Sequence, residues 1–438
     1  MKQTVQMKIQ QAVIQETVIK HVDKGLFFSP FLIEKSSRLI YNLYINLRKG
    51  KDMDIFNNAK NLGFGLMRLP LTNPDDASSI DIELTKKMVD VFIERGFTYF
   101  DTAIMYCGMK SQNAVKEVLS SRYPRDSYTL ATKLHADFFN SFEDRDRIFE
   151  EQLESTGVSY FDYYLLHDLG ADQYPKYEKY DCFNWVMDKK ERGLVKHWGF
   201  SFHDNAELLD RILTEHPEAE FVQLQINYLD WESEGVQSRK CYEVCVKHNK
   251  PVIVMEPVRG GTLANVSSEV KTLFKNYNPE SSIASWAIRF AASHENVKMV
   301  LSGMSNMEQM LDNTDYMQNF VPLTEEETQI INKAVKCIND SLAISCTGCS
   351  YCTEGCPMKI AIPRYFALYN ADYLEKDSND WRPQQEYYNR ISKVFGKAGD
   401  CISCGKCEKI CPQHLHIREY LQTVAAHFER RNHHERSE

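Results

Sequence analysis

Eight of the thirteen cysteines fall in two runs of the same grammar: Cys346, Cys349, Cys352 and Cys356 before Pro357, then Cys401, Cys404, Cys407 and Cys411 before Pro412. Each run reads C-x2-C-x2-C-x3-C-P. Three thiolates spaced this way let a tight loop wrap one iron-sulfur cube, while the fourth, held just before proline, reaches the other cube. The spacing therefore assigns Cys346, Cys349, Cys352 and Cys411 to one 4Fe-4S cluster, and Cys401, Cys404, Cys407 and Cys356 to a second. Zinc also uses CxxC pairs, but a zinc site needs neither the third cysteine two residues on nor the trailing Cys-Pro. A disulfide framework suits secreted domains far shorter than 438 residues. Clusters imply one-electron exchange, with a redox protein as a possible partner, in a reducing, cytoplasmic compartment low in oxygen.

A second set of chemically capable residues lies upstream, each closing or following a short apolar run: Asp101, Tyr106, Lys133 and His167. Singly, each has a plain structural role, because mouth ion pairs, packed tyrosines and satisfied histidines are common. Together they suit proton transfer. A buried tyrosine beside an ammonium, itself fixed by a carboxylate, is a proton donor expected to titrate below the ordinary value of about 10. Each unit of such a shift is worth about 1.4 kcal/mol in favour of the phenolate.

These residues need elements that aim them at one place. From residue 61 the chain alternates apolar runs with amphipathic stretches. Strands are expected at 62–68, 97–101, 128–133, 161–167, 196–201, 221–227, 251–256 and 297–303, eight in all. Helical patterns fill 81–94, 142–155, 205–214, 238–247 and 281–292. In the first of these, Leu84, Met88 and Val91 recur at helical spacing, and Gly96 stands as the stop signal. Eight alternations over about 250 residues match a (β/α)8 TIM barrel, whose chemistry sits at the C-terminal strand ends. A doubly wound sheet is the alternative, but no G-x-G-x-x-G turn follows the first strand.

At these residues the chain resembles the aldo-keto reductases, from about Leu62 to Asn313. The resemblance rests on Phe100-Asp101-Thr102-Ala103 with Tyr106 and Gly108, on Ala131-Thr132-Lys133, on Leu165-Leu166-His167 and on Gly199-Phe200-Ser201. Gln223-Leu224-Gln225-Ile226-Asn227-Tyr228 and the run from Gly303-Met304-Ser305-Asn306 to Asn313 continue it. The cysteine-bearing tail is similar to that of the subgroup with a C-terminal ferredoxin-like domain. The resemblance implies reduction of a small aldehyde or ketone by hydride from NADPH or NADH. In it Tyr106 is the general acid, Lys133 and Asp101 its tuning pair, and His167 the donor that orients the carbonyl oxygen. It further implies that Ser201 and Gln225 hold the nicotinamide carboxamide, and that Ser305, Gln309 and Asn313 lie at the adenosine end. Three positions depart from the pattern. Met255 stands where many members stack an aromatic ring on the nicotinamide, Phe202 where asparagine is common, and Gln309 where an arginine grips a 2′-phosphate. A neutral amide lacks the bidentate, charge-assisted contact that separates NADPH from NADH, so cofactor preference stays open.

Hydride transfer moves an electron pair and a cluster moves one electron, which raises the question of a flavin; no flavin motif is present. Three readings follow: a flavin binds in the barrel mouth instead of, or beside, the nicotinamide, the clusters serve an external redox partner, or they act structurally. Two further readings stay open: a ferredoxin-like electron carrier with a silent barrel, and a redox sensor that binds nicotinamide cofactor.

Charge and composition bound the rest. A net charge of −9 argues against nucleic-acid binding, and no apolar run approaches the ~20 residues of a membrane span. Residues 1–52 hold nine Lys/Arg against four Asp/Glu, so they carry +5 while the remaining 386 residues carry −14. They form a basic N-terminal extension or upstream sequence read through from a mis-called start, with Met53 the true beginning. The expected domains are then the barrel at 53–335, a smaller, mainly α-helical ferredoxin-like domain at 336–430, and a tail at 431–438. Between Cys356 and Cys401 lie 44 residues whose aromatic content, from Tyr365 to Tyr388, predicts a helical insert packed on the barrel. Cys241 and Cys245, one helical turn apart, and Cys107 read as buried packing residues, and His433-His434 as a solvated tail.

Overall fold

A computed structural model describes residues 55–56, 59–233, 235–340, 343–344, 346, 348, 351–373, 382–411 and 414–429. The 1–52 extension and His433-His434 lie outside them. Eight parallel strands close on themselves in chain order, β1 pairing with β8. They are β1 (Leu62–Gly65), β2 (Tyr99–Asp101), β3 (Thr129–His135), β4 (Phe161–Leu169), β5 (Val195–Phe202), β6 (Val222–Gln225), β7 (Val252–Met255) and β8 (Val297–Ser302). The (β/α)8 expectation holds.

Around the strands run α1 (Ile82–Glu94), α2 (Ser111–Val115), α3 (Phe142–Thr156), α4 (Cys182–Glu191), α5 (Ala206–Glu215), α6 (Ser238–Lys247), α7 (Ile283–Ala292) and α8 (Met307–Gln318). Their starts are written locally. Asp81, Ser141, Asn205, Ser282 and Asn306 each accept a backbone N–H of the first turn through the side chain, a cap worth about 1 kcal/mol. At the end of α1, Gly96 takes φ +80 and its N–H donates to the Ile93 carbonyl at 2.8 Å, a turn that a Cβ would strain. The apolar stripe of α1 buries Met88, Val89 and Phe92 against β1 and β2, with Phe92 stacked on Phe97 at 5.1 Å. Each such side chain adds roughly 1.5–3 kcal/mol by leaving water.

Helix α9 (Glu325–Asp340) follows the barrel, and Ile330, Ile331, Ala334 and Ile338 bury against Phe274 and Trp286. The C-terminal region is helical: α10 (Ile362–Tyr373), α11 (Pro383–Val394) and α12 (Ile417–Phe428) share a second core. Tyr388 sits at its centre, 4.7 Å from the ring of Tyr365 and 4.7 Å from that of Phe428. The insert is thus the expected aromatic helical pair, and it does touch the barrel: Tyr387 meets His203 at 5.6 Å. Among the described residues, no helix is long and apolar enough to cross a membrane.

Candidate active site and cysteine centre

The register of neighbouring strands assembles the first group. Asp101 ends β2, and β3 runs alongside it with Asp101 opposite Ala131, so Lys133, two residues on, points to the same interior. Its Nζ lies 2.5 Å from Asp101 Oδ1 and donates to the Thr102 carbonyl at 2.9 Å. Both side chains are almost wholly buried, at 0% and 3% exposure. Burial pulls the ammonium down and pushes the carboxyl up, and each opposes the other's shift. Gln223 on β6 closes the carboxylate's other side, 3.5 Å from Oδ2.

Tyr106 opens the turn after β2, where Cys107, Gly108 and Met109 all take positive φ. At Gly108 an added Cβ would stand 3.0 Å from Ser78 Cβ, so glycine keeps this turn tight. The turn lays the phenol ring over Lys133, with Nζ 5.0 Å from its centroid, and edge-on to His167 at 6.1 Å. Burial, then the carboxylates of Asp101 and Glu256, push the phenol well above its ordinary pKa, with Arg68 opposing. The expected depression by Lys133 is corrected here. Its charge is already neutralised by Asp101 at contact distance, so burial decides, and the Tyr106 phenol stays neutral.

His167 projects from the end of β4 and is buried, with Nδ1 lacking a hydrogen-bond partner. Burial, then His135 and Lys133, hold its imidazole neutral, well below the ordinary value. His135, which the strand boundary at residue 133 left out, lies ring to ring with His167 at 5.1 Å. Extending the period of two from Ala131 through Lys133 would have found it. Asp168 adds a buried carboxylate 3.7 Å from His135 and 3.8 Å from His203.

The residues expected to hold a nicotinamide cofactor line the same mouth. Gln225 at the end of β6 donates to Asp230 at 2.9 Å, while its buried Oε1 lacks a hydrogen-bond partner. That orphan acceptor fits an amide N–H. Ser201 Oγ accepts the Asp168 N–H at 2.7 Å and keeps its own hydrogen to donate. Met255, half-buried, ends β7. After β8, Ser305 Oγ donates to the Arg68 carbonyl at 2.8 Å, and Gln309 in the first turn of α8 accepts the Ser305 N–H at 2.7 Å. Asn313 is committed inward, donating to Ser302 Oγ at 2.7 Å and accepting from Tyr316. A strand-eight loop leading into a helix N-terminus is where barrels bind phosphate, and the Arg68 guanidinium is paired there with Glu256 at 3.5 Å.

Beyond the barrel, a cavity in the C-terminal region is lined by Cys356 together with Cys401, Cys404 and Cys407, with Pro357 and Arg418 at its edge. This is the cross-run set the spacing assigns to one cube, three thiols from one loop and the fourth from the other. Of the remaining set, Cys352 belongs to the small core, with Cys346 and Cys411 packed against it, while Cys349 lies outside the described residues. Cys241 and Cys245 are buried in the barrel's apolar core, where burial raises both thiols. Cys107 is buried too, its thiol 3.3 Å from the Met67 carbonyl.

Comparison with known proteins agrees with both halves. The model of the Aldo/keto reductase family matches residues 61–336, and that of the 4Fe-4S dicluster domain matches residues 345–416. An aldo-keto reductase from Bacillus halodurans, solved in its holo form, shares 23% identity at TM-score 0.51, covering 63% of this chain and 91% of its own. A thermostable aldo-keto reductase solved with the inhibitor epalrestat shares 19% identity at TM-score 0.50, covering 63% and 94%. At these identities the structures speak for the fold alone. No curated relative matches the chain.

Proposed function

This chain belongs to the aldo/keto reductase family, and from that premise we propose that it reduces the carbonyl of a small aldehyde or ketone. The reductase domain is residues 53–335 and the cluster domain residues 336–430. The observation that carries the reading is the convergence of Tyr106 on Lys133 and His167, with Lys133 locked to Asp101. A reduced nicotinamide cofactor, NADPH or NADH, supplies when bound the hydride that the carbonyl carbon needs. Gln225 and Ser201 would hold its carboxamide through the acceptor and donor they leave open. Ser305 and Gln309 would stand at its adenosine end, with Asn313 behind them bonded to Ser302.

The chain's own groups handle the oxygen. His167, neutral and without a partner on Nδ1, orients the carbonyl through its imidazole. Tyr106 then gives its proton to the oxygen as negative charge develops there, so the product leaves as an alcohol. Lys133, locked in place by Asp101, lies over the ring of Tyr106 and fixes where the phenol stands. Because Gln309 offers no cation, any preference for a 2′-phosphate must come from elsewhere.

Two 4Fe-4S clusters, when bound by the eight cysteines, supply one-electron exchange. Cys404 is exposed, and Ile402 and Ile410 beside the second run stand 60% and 55% exposed, which supports delivery to an external redox protein.

The test is consumption of NADPH and NADH by the anaerobic full-length protein against a panel of small carbonyls, beside Tyr106→Phe. Loss of the phenol should lower turnover about 10²–10⁴-fold. Equal rates in the two proteins would remove Tyr106 from the mechanism and the reductase reading with it. Electron paramagnetic resonance of the same sample after addition of NADPH reads the clusters separately, and a silent spectrum would assign them a structural role.

A further inference from the structure

Arg390 is carried by α11, between the two cysteine runs, yet its guanidinium ends at the barrel mouth, 1% exposed. It donates to the His203 carbonyl at 3.0 Å and to the Asp168 carbonyl at 3.2 Å, and it pairs with the Asp168 carboxylate. Its Nε lies 3.1 Å from both Asp172 and Glu386. Gly170 leaves the space: a Cβ there would stand 2.8 Å from the guanidinium. Asp168 lies at the end of β4 and His203 just beyond β5, so one planar fork ties two strand ends together.

The tie falls on a strained residue. Asp168 takes φ +63, where the β4–β5 register shifts between Leu166 and Leu169. A non-glycine residue in that region costs about 1–3 kcal/mol and persists only where its surroundings over-determine it. Ser201 Oγ takes its N–H, and Arg390 takes its carbonyl and its carboxylate. The preceding residue is His167, and the direction of that ring follows from the backbone turn at Asp168. Across the site, the Asp168 carboxylate also faces His135 and His203.

We propose that Arg390 is a positioning residue of the reductase site: it holds Asp168 in its left-handed turn and thereby aims His167, making the barrel's carbonyl geometry depend on docking of the cysteine-bearing domain. The proposal rests on the reading of His167 as the carbonyl donor. The substrate end of the reaction should feel the loss most, while the adenosine end should not, because Ser305 and α8 lie on other elements; Ser201, bonded to Asp168, links the turn only to the carboxamide.

In the iron-loaded full-length protein, Arg390→Gln should lower kcat/KM for the carbonyl between about 10- and 100-fold, a larger change than in KM for the nicotinamide, and the reverse order would overturn the proposal. Arg390→Lys should recover some of that loss, since it restores a cation but not the fork. In a His167→Ala background, Arg390→Gln should cost nothing further. Independent, multiplying losses would overturn the proposal. A readout free of turnover is the side-chain spectrum of 15N-histidine-labelled protein, with His167 assigned from His167→Gln. Arg390→Gln should move the His167 signals, and unmoved signals overturn the inference. Should they move while Tyr106→Phe turns over like the parent, the positioning stands and the reductase reading falls. If Arg390→Gln loses its iron, Asp168→Asn, on the barrel side of the same contact, takes its place under the same criteria.

Discussion

Two corners of the barrel mouth each bury an ion pair, and they are made in opposite ways. Lys133 reaches Asp101 across 32 residues of chain, from one strand to the next, by register alone. Arg390 reaches Asp168 across 222 residues, from a helix outside the barrel. The first corner is complete as soon as β2 and β3 pair. The second is complete only when the C-terminal region is folded and seated. A reductase barrel built entirely from its own strands would have two corners of the first kind, so the second marks where this chain makes one half answer to the other.

The largest break in that comparison is removal of iron. Cys407→Ala in the four-cysteine cavity should abolish the separate unfolding transition of the C-terminal region while leaving the barrel's transition in place, because metal binding is folding free energy there. Differential scanning calorimetry checks it. A single merged transition in both proteins would mean that the two corners stand or fall together. Next in size is Lys133→Met. Stripping one partner from a fully buried pair leaves an uncompensated carboxylate and should cost about 3–5 kcal/mol in denaturant unfolding, with the iron content unchanged.

A finer probe is pH. Burial, opposed chiefly by Asp168 and aided by Arg390, keeps His203 neutral and brings its pKa down to about 4. Glu256 and His135 complete its charged surroundings. The unfolded chain takes up a proton below about 6.5, which the folded chain resists. The contribution is therefore full above that pH and declines toward pH 4, by up to about 1.4 kcal/mol for each unit. His203→Gln should flatten this slope in acid titrations of stability. The smallest effect is expected at the rim of the same corner, where Lys393 pairs with Asp172 at 2.8 Å but is 58% exposed. Lys393→Ala should change stability by less than about 1 kcal/mol, and a larger loss would show that the corner's energy lies at its surface.

What the sequence makes legible follows from range. The strands and the helices with good caps are readable because period and capping act within a few residues, as at Asp81, Asn205 and Ser282. Asp101, Lys133 and His167 are readable because a barrel puts strand ends in one place. The cysteine runs are readable because ligand spacing is a local rule. Hidden were the effects that need three dimensions. His135 lies two residues beyond a strand cut short, Asp168 owes its left-handed turn to a bulge, and Arg390 is one basic residue in an amphipathic helix. The acidity of Tyr106 is hidden for the same reason, since its balance of burial against charge depends on Glu256 and Asp168, remote in sequence.

Cys356 sits with Cys401, Cys404 and Cys407, and the 44 residues between the first two of these carry α10, α11 and Arg390. A cube gripped by all four would tether both ends of that stretch at once. By the chain-entropy relation for a cross-link, closing a loop of this length removes about 4 kcal/mol of freedom from the unfolded insert. Oxidative loss of that one cube would restore the freedom, and the insert would slacken at both anchors before any barrel strand had moved.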